Sequence, residues 1–322
     1  MIYINERILL ELDFDWDSLI DTIEQTTKLL AQNAFSQPIK PYLRFNNPVN
    51  RIIAMPAFVG GEINAAGIKW IASFPENTKS NIKRAHSVMI LNDPLTGKPT
   101  TIINGALVSA IRTASVSGFV LKKYLEVNNS ASFNCGIIGF GPIGQMHFQM
   151  LNQWIGDRIN HFYICDLSEN CEETINSYNK KQNITKCQSW EEVFENTNLF
   201  VTCTVSSERY VNRKPKKGAI YLNISLRDFH PDFVKNVDVN IVDNWDEVCR
   251  ENTDVEMAYL RADMDRTDFF EISEILNPNK IFFSINKSIM FNPMGMAVFD
   301  IAIAKSYENI AKKKGNFINI EE

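Results

Sequence analysis

The chain has 322 residues and a mass of 36.8 kDa, which is long for one domain and sufficient to bury two hydrophobic cores. Hydrophobic residues make up 45% of the sequence and charged residues 22%, a composition that excludes wholesale disorder. The net charge of −5 and the isoelectric point of about 5.6 argue against a nucleic-acid-binding protein. We find no membrane-spanning apolar run and no secretory signal, so we expect a cytoplasmic protein.

The first third of the chain combines helical segments with short strand-like runs. In residues 16–34 apolar side chains recur at spacings of three and four, which predicts an amphipathic helix. The strand-like runs that follow are PYLRF, RIIAMPAF, AAGIKWIASF, SVMILND and TTIING. The turn PLTGKP predicts a hairpin between the last two runs, and a further helix is predicted from Leu107 to Leu125. This part therefore reads as a mixed α+β domain with an antiparallel sheet.

Beyond Asn128 the pattern changes to short runs that are apolar on both faces and alternate with segments of helical length. These runs are FNCGIIGFG, HFYICD, LFVTCTV, GAIYLNI and VDVNIVD, followed by IFFSI. Such alternation indicates an α/β, doubly wound parallel sheet of the Rossmann type. The tail from Pro293 to Lys314 predicts an amphipathic helix that returns to the first domain. We predict domains at residues 121–289 and at residues 1–120 plus 290–322.

A glycine motif, G-x-G-x-x-G, lies between the first of these strands and the next helix. Its spacing suits a tight turn, a close backbone approach to a pyrophosphate, and the packing of helix against strand. The residues predicted to contact a dinucleotide there are Gly139, Gly141, Pro142, Ile143 and Gly144. Asp166 follows 22 residues after Gly144, at the end of the next strand, where a carboxylate accepts from ribose hydroxyls and repels a 2′-phosphate. The pattern favours NAD over NADP, and a glycine turn without a ligand is the alternative.

Polar residues follow two further strand ends. Thr204 comes after LFVTC, and Asn223 and Ser225 come at the end of YLNIS, so all three are candidates for the nicotinamide side of the crevice. Helix or turn capping is the alternative for such residues. Asp228 follows in the same loop and either exchanges protons with a substrate amine or water, or caps a helix.

Positive charge is concentrated between Lys40 and Arg112, where nine basic residues face three acidic ones, a net charge of +6. Arg44, Lys69 and Arg112 stand in apolar surroundings, and an ionised group there must be paired or bind an anion. We expect a pocket for substrate carboxylates, with pairing to a distant Asp or Glu as the alternative. The six cysteines and four histidines form no metal-binding pattern, so no metal site is expected.

These segments together resemble the ornithine cyclodeaminase/mu-crystallin family over almost the whole chain. The resemblance is carried, in chain order, by GIKWIASFPEN, ILNDPLTGKP, ALVSAIRTASVS, IIGFGPIGQ, LNISLRD and NPMGMAVFDIA. It implies an NAD-binding Rossmann domain inserted in a split domain that binds substrate and forms a homodimer. It also implies substrate contacts from Arg44, Lys69 and Arg112, a cofactor contact from Arg112, and proton transfer by Asp228, with Lys69 catalytic as well.

Within the family, PIKPYLRF, RIIAMP and NPMGMA are most similar to enzymes of 2,3-diaminopropionate biosynthesis for siderophores or antibiotics. The resemblance implies oxidative hydrolysis of N-(2-amino-2-carboxyethyl)-L-glutamate to L-2,3-diaminopropionate and 2-oxoglutarate. Arg84 and Met294 stand where ornithine cyclodeaminases carry other residues, and we expect both to contact a more anionic substrate. The alternatives are ornithine cyclodeamination, an imine reductase or amino-acid dehydrogenase, and a non-catalytic dinucleotide-binding protein.

Overall fold

A computed structural model describes residues 1–12, 15–47, 49–168, 171–178, 183–280 and 282–321. The chain divides into two compact units. One, here called the split unit, comprises residues 1–116 and 295–322, and the other, the central unit, comprises residues 117–294. Strands and helices alternate in the central unit around a wholly parallel sheet, so the predicted α/β class is confirmed.

The secondary-structure elements agree with most of the sequence predictions. The helices are α1 (Glu6–Glu11), α2 (Trp16–Ala31), α3 (Gly105–Val127), α4 (Pro142–Ile155), α5 (Cys171–Tyr178), α6 (Trp190–Asn196), α7 (Pro231–Lys235), α8 (Trp245–Val248), α9 (Asp254–Arg261) and α10 (Ala297–Lys314). The strands are β1 (Ile2–Ile4), β2 (Phe35–Ser36), β3 (Tyr42–Arg44), β4 (Arg51–Val59), β5 (Ala65–Ser73), β6 (Ala85–Asn92), β7 (Pro99–Asn104), β8 (Phe133–Ile138), β9 (Ile159–Cys165), β10 (Ile184–Lys186), β11 (Leu199–Thr202), β12 (Ile220–Asn223), β13 (Val239–Val242), β14 (Phe269–Glu271), β15 (Ile289–Asn292) and β16 (Ile318–Asn319).

The sheet of the split unit has the order β16-β1-β7-β6-β5-β4-β2, with β3 also paired to β4. Strands β4 to β7 form an antiparallel meander, as predicted. The short strand β1, which was not predicted, adds a parallel pairing with β7 to this sheet. Helix α10 covers one face of the meander and packs beside α2, so alternate strand residues on that face are buried.

Helix α10 begins at Ala297, four residues after the predicted start at Pro293. The preceding Gly295 has φ of +90° and Met296 is extended, so the chain turns before the helix begins. Residues 297–304 are all buried, and Lys312, Lys313 and Lys314 occupy the last turn, where cations favour the helix dipole.

The central unit is built on a parallel sheet in the order β10-β9-β8-β11-β12-β15-β13-β14. Every residue of β11, β12, β13 and β15 is buried, which agrees with their unbroken apolar runs. The chain leaves β8 toward β9 on one side and returns to β11 on the other. The strand order thus reverses between β8 and β11, and a ligand crevice is expected there at the carboxyl ends of the strands.

The prediction of a strand at IFFSI was wrong. Phe282 and Phe283 are in irregular structure, where their rings pack against Phe270 and Tyr124, while Ile281 lies outside the described residues. The strand that completes the sheet is β15, between β12 and β13, and the predicted domain boundary at residue 290 falls inside it. Among the described residues, no helix is both long and apolar enough for a bilayer crossing.

Candidate active site

The glycine motif forms the turn between β8 and α4 that its spacing predicts. Gly139 has φ of +86°, and a Cβ there would lie 2.7 Å from the carbonyl oxygen of Cys203. Gly144 packs against the turn itself, since its Cβ would lie 2.0 Å from the Gly139 carbonyl oxygen. Gly141 is the N-cap of α4 and has open space within 4 Å, with Pro142 at the first helical position and no side-chain cap. The helix start is therefore open to an anion, to which its N–H groups and dipole would be attractive.

Asp166 lies beside this turn, at the carboxyl end of β9. Its carboxylate accepts hydrogen bonds from the backbone N–H groups of Phe140, within the turn, and Ser168. The Gly139 N–H also donates to the carbonyl of Cys165 at 2.9 Å, so the two strand ends are held together. An ionised carboxylate has about four acceptor positions, which leaves capacity for the hydroxyls of a ribose. The residues present thus fit the adenosine end of a dinucleotide.

Asp228, Thr204 and Ser225 come together in the central unit, as a cluster of strand-end residues should. The hydroxyl of Thr204 donates to Oδ1 of Asp228 at 2.6 Å, and the hydroxyl of Ser225 donates to Oδ2. Asp228 is buried, and this burial raises the pKa of its carboxyl although both hydroxyls act in the opposite direction. A carboxyl with a raised pKa exchanges protons nearer neutral pH, as acid–base catalysis requires.

Asn223 has a different place from the one predicted at the crevice. Its side chain is fully buried, donates to Asp254 at 3.0 Å and to Asn292 at 2.8 Å, and accepts from the Leu226 N–H at 3.0 Å. These bonds use its amide within the protein and shape the loop that carries Asp228. The side chain therefore supports the site from behind.

Asp254 is the centre of that support and was not identified from the sequence. Its Oδ2 accepts from the backbone N–H groups of Asp228 and Phe229, both at 3.1 Å, and its Oδ1 accepts from Arg209 at 2.7 Å. Burial raises the pKa of Asp254 to about 6, against the effect of these donors. Leu226, which lies between Asn223 and Asp228 in this loop, has φ of +60°. This conformation is unfavourable for leucine, so it needs such external support.

In the split unit, Lys69 and Arg112 meet at one carboxylate. Nζ of Lys69, on β5, lies 3.1 Å from Oδ1 of Asp300, on α10, and Nε of Arg112, on α3, lies 2.9 Å from the same oxygen. The exposed fraction is 3% for Lys69, 6% for Arg112 and 0% for Asp300. The alternative that these cations pair with an acid distant in sequence is thus correct in part, because Asp300 is such an acid. Among the described residues, however, Asp300 is the one carboxylate paired with either cation.

Burial dominates the electrostatics of this cluster. It lowers the pKa of Lys69 to about 8, with Asp300 raising the pKa and the charges of Arg112 and Lys40 lowering it further. Burial opposes ionisation of Asp300 too, but the two cations outweigh it and hold the pKa of Asp300 below its ordinary value. Gly295 leaves room for the guanidinium, since a Cβ there would lie 3.1 Å from both Nη atoms of Arg112.

The other predicted substrate residues lie elsewhere. Arg44 is exposed at the end of β3, with its guanidinium 5.0 Å from the centre of the Tyr42 ring. Its register partner on β4 is Arg51, whereas that of Lys69 is Met55, a separation of four residues or roughly 13 Å along the strand. The structure therefore does not bring Arg44 to the Lys69 cluster.

Arg84 and Met294 are half-buried. Arg84 precedes β6, where its carbonyl accepts from the Phe74 N–H at 2.9 Å. Met294 belongs to the central unit, where its N–H donates to Asp243 at 3.0 Å and its side chain packs against the core. Among the described residues, no three His, Cys, Asp or Glu side chains are arranged as metal ligands.

Asp300 could have been recognised from the sequence. It interrupts the apolar run AVFDIAIA, and a charge in an apolar run is the signal that identified Lys69 and Arg112. Asp254 offers no such signal, because a Thr–Asp pair before a helical segment is an ordinary helix start.

The fold and the glycine turn are those of an NAD-binding oxidoreductase with a Rossmann-type sheet, and comparison with known sequences identifies the family. The sequence model of the ornithine cyclodeaminase/mu-crystallin family matches residues 2–314, and the chain belongs to this family. One similar relative is the N-((2S)-2-amino-2-carboxyethyl)-L-glutamate dehydrogenase of Staphylococcus aureus, 34% identical over 301 residues, which cover 88% of this chain and 87% of the relative.

Other relatives are more distant. An alanine dehydrogenase of Archaeoglobus fulgidus is 25% identical over 306 residues, which cover 92% of this chain and 91% of the relative. A solved structure with the same fold is the Δ¹-pyrroline-2-carboxylate reductase of Thermococcus litoralis in complex with NADH and L-proline. It has a TM-score of 0.87 and 22% sequence identity, and the alignment covers 99% of this chain and 100% of that chain.

The contacts of Gly144 generate a prediction about stability. Replacement of a helical glycine by alanine usually stabilises a protein by about 0.5–1 kcal/mol. In Gly144→Ala the new Cβ would collide with the Gly139 carbonyl, a backbone atom that cannot turn away. We expect this variant to lose roughly 1–3 kcal/mol of unfolding free energy in urea denaturation.

Gly141→Ala is the matched control for this change. Its Cβ enters open space, so its cost should stay near 0.5 kcal/mol, the cost of alanine at an N-cap. Equal stabilities of the two variants would contradict the packing described for the turn.

Proposed function

We propose that the protein catalyses the NAD-dependent oxidative hydrolysis of N-(2-amino-2-carboxyethyl)-L-glutamate to L-2,3-diaminopropionate and 2-oxoglutarate. It is an oxidoreductase that acts on the CH–NH bond of an amino-acid-derived substrate. The diaminopropionate serves as a building block for a siderophore or an antibiotic. The observation that carries the proposal is the 34% identity, over nearly the whole chain, to the staphylococcal dehydrogenase of this substrate.

The charge of the split unit supports an anionic substrate. Lys69 and Arg112 share one carboxylate, so the buried cluster keeps a charge of +1 when Lys69 is protonated. The substrate has three carboxylates, and binding one of them would neutralise this excess, whereas ornithine would add a cationic side chain. The net charge of +6 between Lys40 and Arg112 acts in the same direction.

The central unit has the residues to hold NAD. The open start of α4 at Gly141 suits the pyrophosphate, and the Asp166 carboxylate suits the ribose hydroxyls while repelling the 2′-phosphate of NADP. We assign Thr204 and Ser225, which follow β11 and β12, to the nicotinamide side of the crevice. When bound, NAD⁺ supplies the hydride acceptor for the reaction. We assign cofactor binding to the central unit and substrate binding to the split unit.

The protein side chains supply positioning and proton transfer. Arg112, which lies beside Lys69 at Asp300, binds a substrate carboxylate. Oxidation of the glutamyl Cα–N bond removes a hydride from carbon and a proton from nitrogen, leaving an imine.

Water then adds to the imine carbon and the C–N bond breaks. Lys69 takes one proton from the attacking water, and Asp228 protonates the imine nitrogen, which gives a carbinolamine. As its C–N bond breaks, the hydroxyl proton passes through Asp228 to the departing amine of diaminopropionate, so water supplies the keto oxygen of 2-oxoglutarate. The raised pKa of Asp228 and the lowered pKa of Lys69 suit these two roles near neutral pH.

The proposed function is tested by product analysis. With NAD⁺ and N-(2-amino-2-carboxyethyl)-L-glutamate, the protein should form NADH, diaminopropionate and 2-oxoglutarate in equal amounts, measured by absorbance and mass spectrometry. Proline and ammonia from ornithine without net NADH would instead identify a cyclodeaminase. Oxidation of NADH by a cyclic imine would identify a reductase. Tight NAD binding without turnover of any of these substrates would identify a non-catalytic binding protein.

Lys69→Ala should lower kcat about 100-fold or more, because loss of a general base typically removes a factor of 10²–10⁴. NAD affinity, measured by fluorescence titration, should change little. Lys79→Ala is the control, since Lys79 is an exposed lysine of the same unit paired with Glu76. Turnover by Lys69→Ala equal to that of the unchanged protein would refute the assigned role.

The outer face of the split-unit sheet supports a homodimer. Strand alternation places the side chains of Ala54, Phe58, Ile68, Trp70 and Val88 on the face opposite α10. Phe58 and Trp70 are 37% and 42% exposed, and the rest of this apolar face is half-buried. An apolar face of this kind is typical of an interface, and a second copy of the chain is its proposed occupant. The archaeal alanine dehydrogenase with this fold is a dimer.

Analytical ultracentrifugation should accordingly give a particle of about twice 36.8 kDa. Trp70→Asp places a charge in the proposed interface and should shift the protein toward the monomer. Leu95→Asp, at an exposed turn between β6 and β7, should leave the dimer unchanged. A monomeric wild-type protein, or a dimer that Trp70→Asp does not weaken, would exclude this interface.

A further inference from the structure

We propose that Asp300 is a positioning residue that orients Lys69 and Arg112 and sets the fraction of Lys69 that is neutral. The inference rests on the proposed function for its catalytic meaning, but its physical content concerns the split unit alone. It starts from an acidic residue that the proposed reaction does not itself use.

Geometry makes Asp300 the junction of three elements. Lys69 on β5, Arg112 on α3 and Asp300 on α10 are distant in sequence, and both cations donate to one oxygen, Oδ1. Because both donors bond the same oxygen atom, their positions relative to each other are fixed. Two separate acids, one for each cation, would not impose this constraint. Arg112 bonds Asp300 through Nε, and its two Nη groups lie close to Gly295, where a Cβ would be 3.1 Å from each of them.

Oδ2 of Asp300 is buried and accepts no hydrogen bond among the described residues. An unsatisfied buried carboxylate oxygen is unfavourable, so satisfaction of hydrogen bonds does not account for an acid at this position. Its negative charge does, since two buried cations without a counter-charge would repel each other.

The groups that face Lys69 determine its titration. Asp300 from α10 stabilises the ammonium form, while Arg112 from α3 and Lys40 from the segment before β3 destabilise it. Burial also favours the neutral amine. The carboxylate therefore opposes the effect of burial on Lys69, and without it a larger fraction of the amine would be neutral near pH 7.

The substitution that isolates the charge is Asp300→Asn. An amide oxygen at Oδ1 still accepts from Lys69 and Arg112, and the NH₂ group takes the place of the unpartnered Oδ2. The variant should therefore fold, with the negative charge removed. The matched control is Glu308→Gln, which neutralises a second buried carboxylate of α10 that pairs with Lys305 and Lys312 instead.

Lys69 is titrated in the full-length protein without substrate, by the ¹³Cε chemical shift of labelled lysines. Its signal is assigned as the one lost in Lys69→Arg. We expect the wild-type signal to titrate near pH 8 and to move down by about 1–3 pH units in Asp300→Asn, the effect of one nearby opposite charge. Glu308→Gln should leave it within a few tenths of a unit.

The pH profile of kcat/KM with the proposed substrate links this titration to catalysis. The apparent pKa that Lys69 contributes to this profile should move in Asp300→Asn by the same number of pH units as the ¹³C titration. A Lys69 signal that titrates with the bulk lysines, or that does not move in Asp300→Asn, overturns the inference even if turnover is normal. A signal that moves as expected in a protein without turnover leaves the inference standing and refutes the proposed function.

Discussion

The sharing of Asp300 by Lys69 and Arg112 is the interaction on which the chemistry of the split unit depends. Removing any ion from water costs several kcal/mol, so a buried ion is stable only where it is paired with an opposite charge. The Asp300 carboxylate pairs with both Lys69 and Arg112. The cluster is therefore stabilised, yet it keeps a positive charge that can bind an anionic substrate group. A protein that needed only stability would be served as well by apolar side chains at these three positions.

The central unit uses burial in the same way but with the opposite sign of charge. Burial raises the pKa of Asp228 and raises that of Asp254 to about 6, while in the split unit it lowers the pKa of Lys69 to about 8. Desolvation thus raises the pKa values of two acids and lowers the pKa of one base, so all three move closer to neutral pH. The loop with Asp228 holds its shape because Asp254 accepts two of its N–H groups, which also maintains the left-handed backbone of Leu226.

Local pattern was sufficient for most of the fold. The helix predicted at 16–34 is α2, the hairpin at PLTGKP joins β6 to β7, and the long apolar runs are parallel strands. The failures have physical reasons. β1 has three residues, too few to show a period, and its parallel pairing depends on β7, which follows a hundred residues later. IFFSI and the residues of β15 are equally apolar, and only the gap between β12 and β13 decides which of them becomes a strand.

The sequence by itself determined whatever depends on neighbours along the chain: the glycine spacing, the acid at the end of β9, and the presence of cations in apolar segments. Only the tertiary structure decided which groups meet. Lys69 and Asp300 are 231 positions apart, and no local pattern encodes their contact. Asn223 likewise was expected at a crevice from its strand-end position, but packing against Asp254 and Asn292 turned it inward. The partners of a buried polar group are set by the elements that enclose it, because burial removes water as the alternative partner.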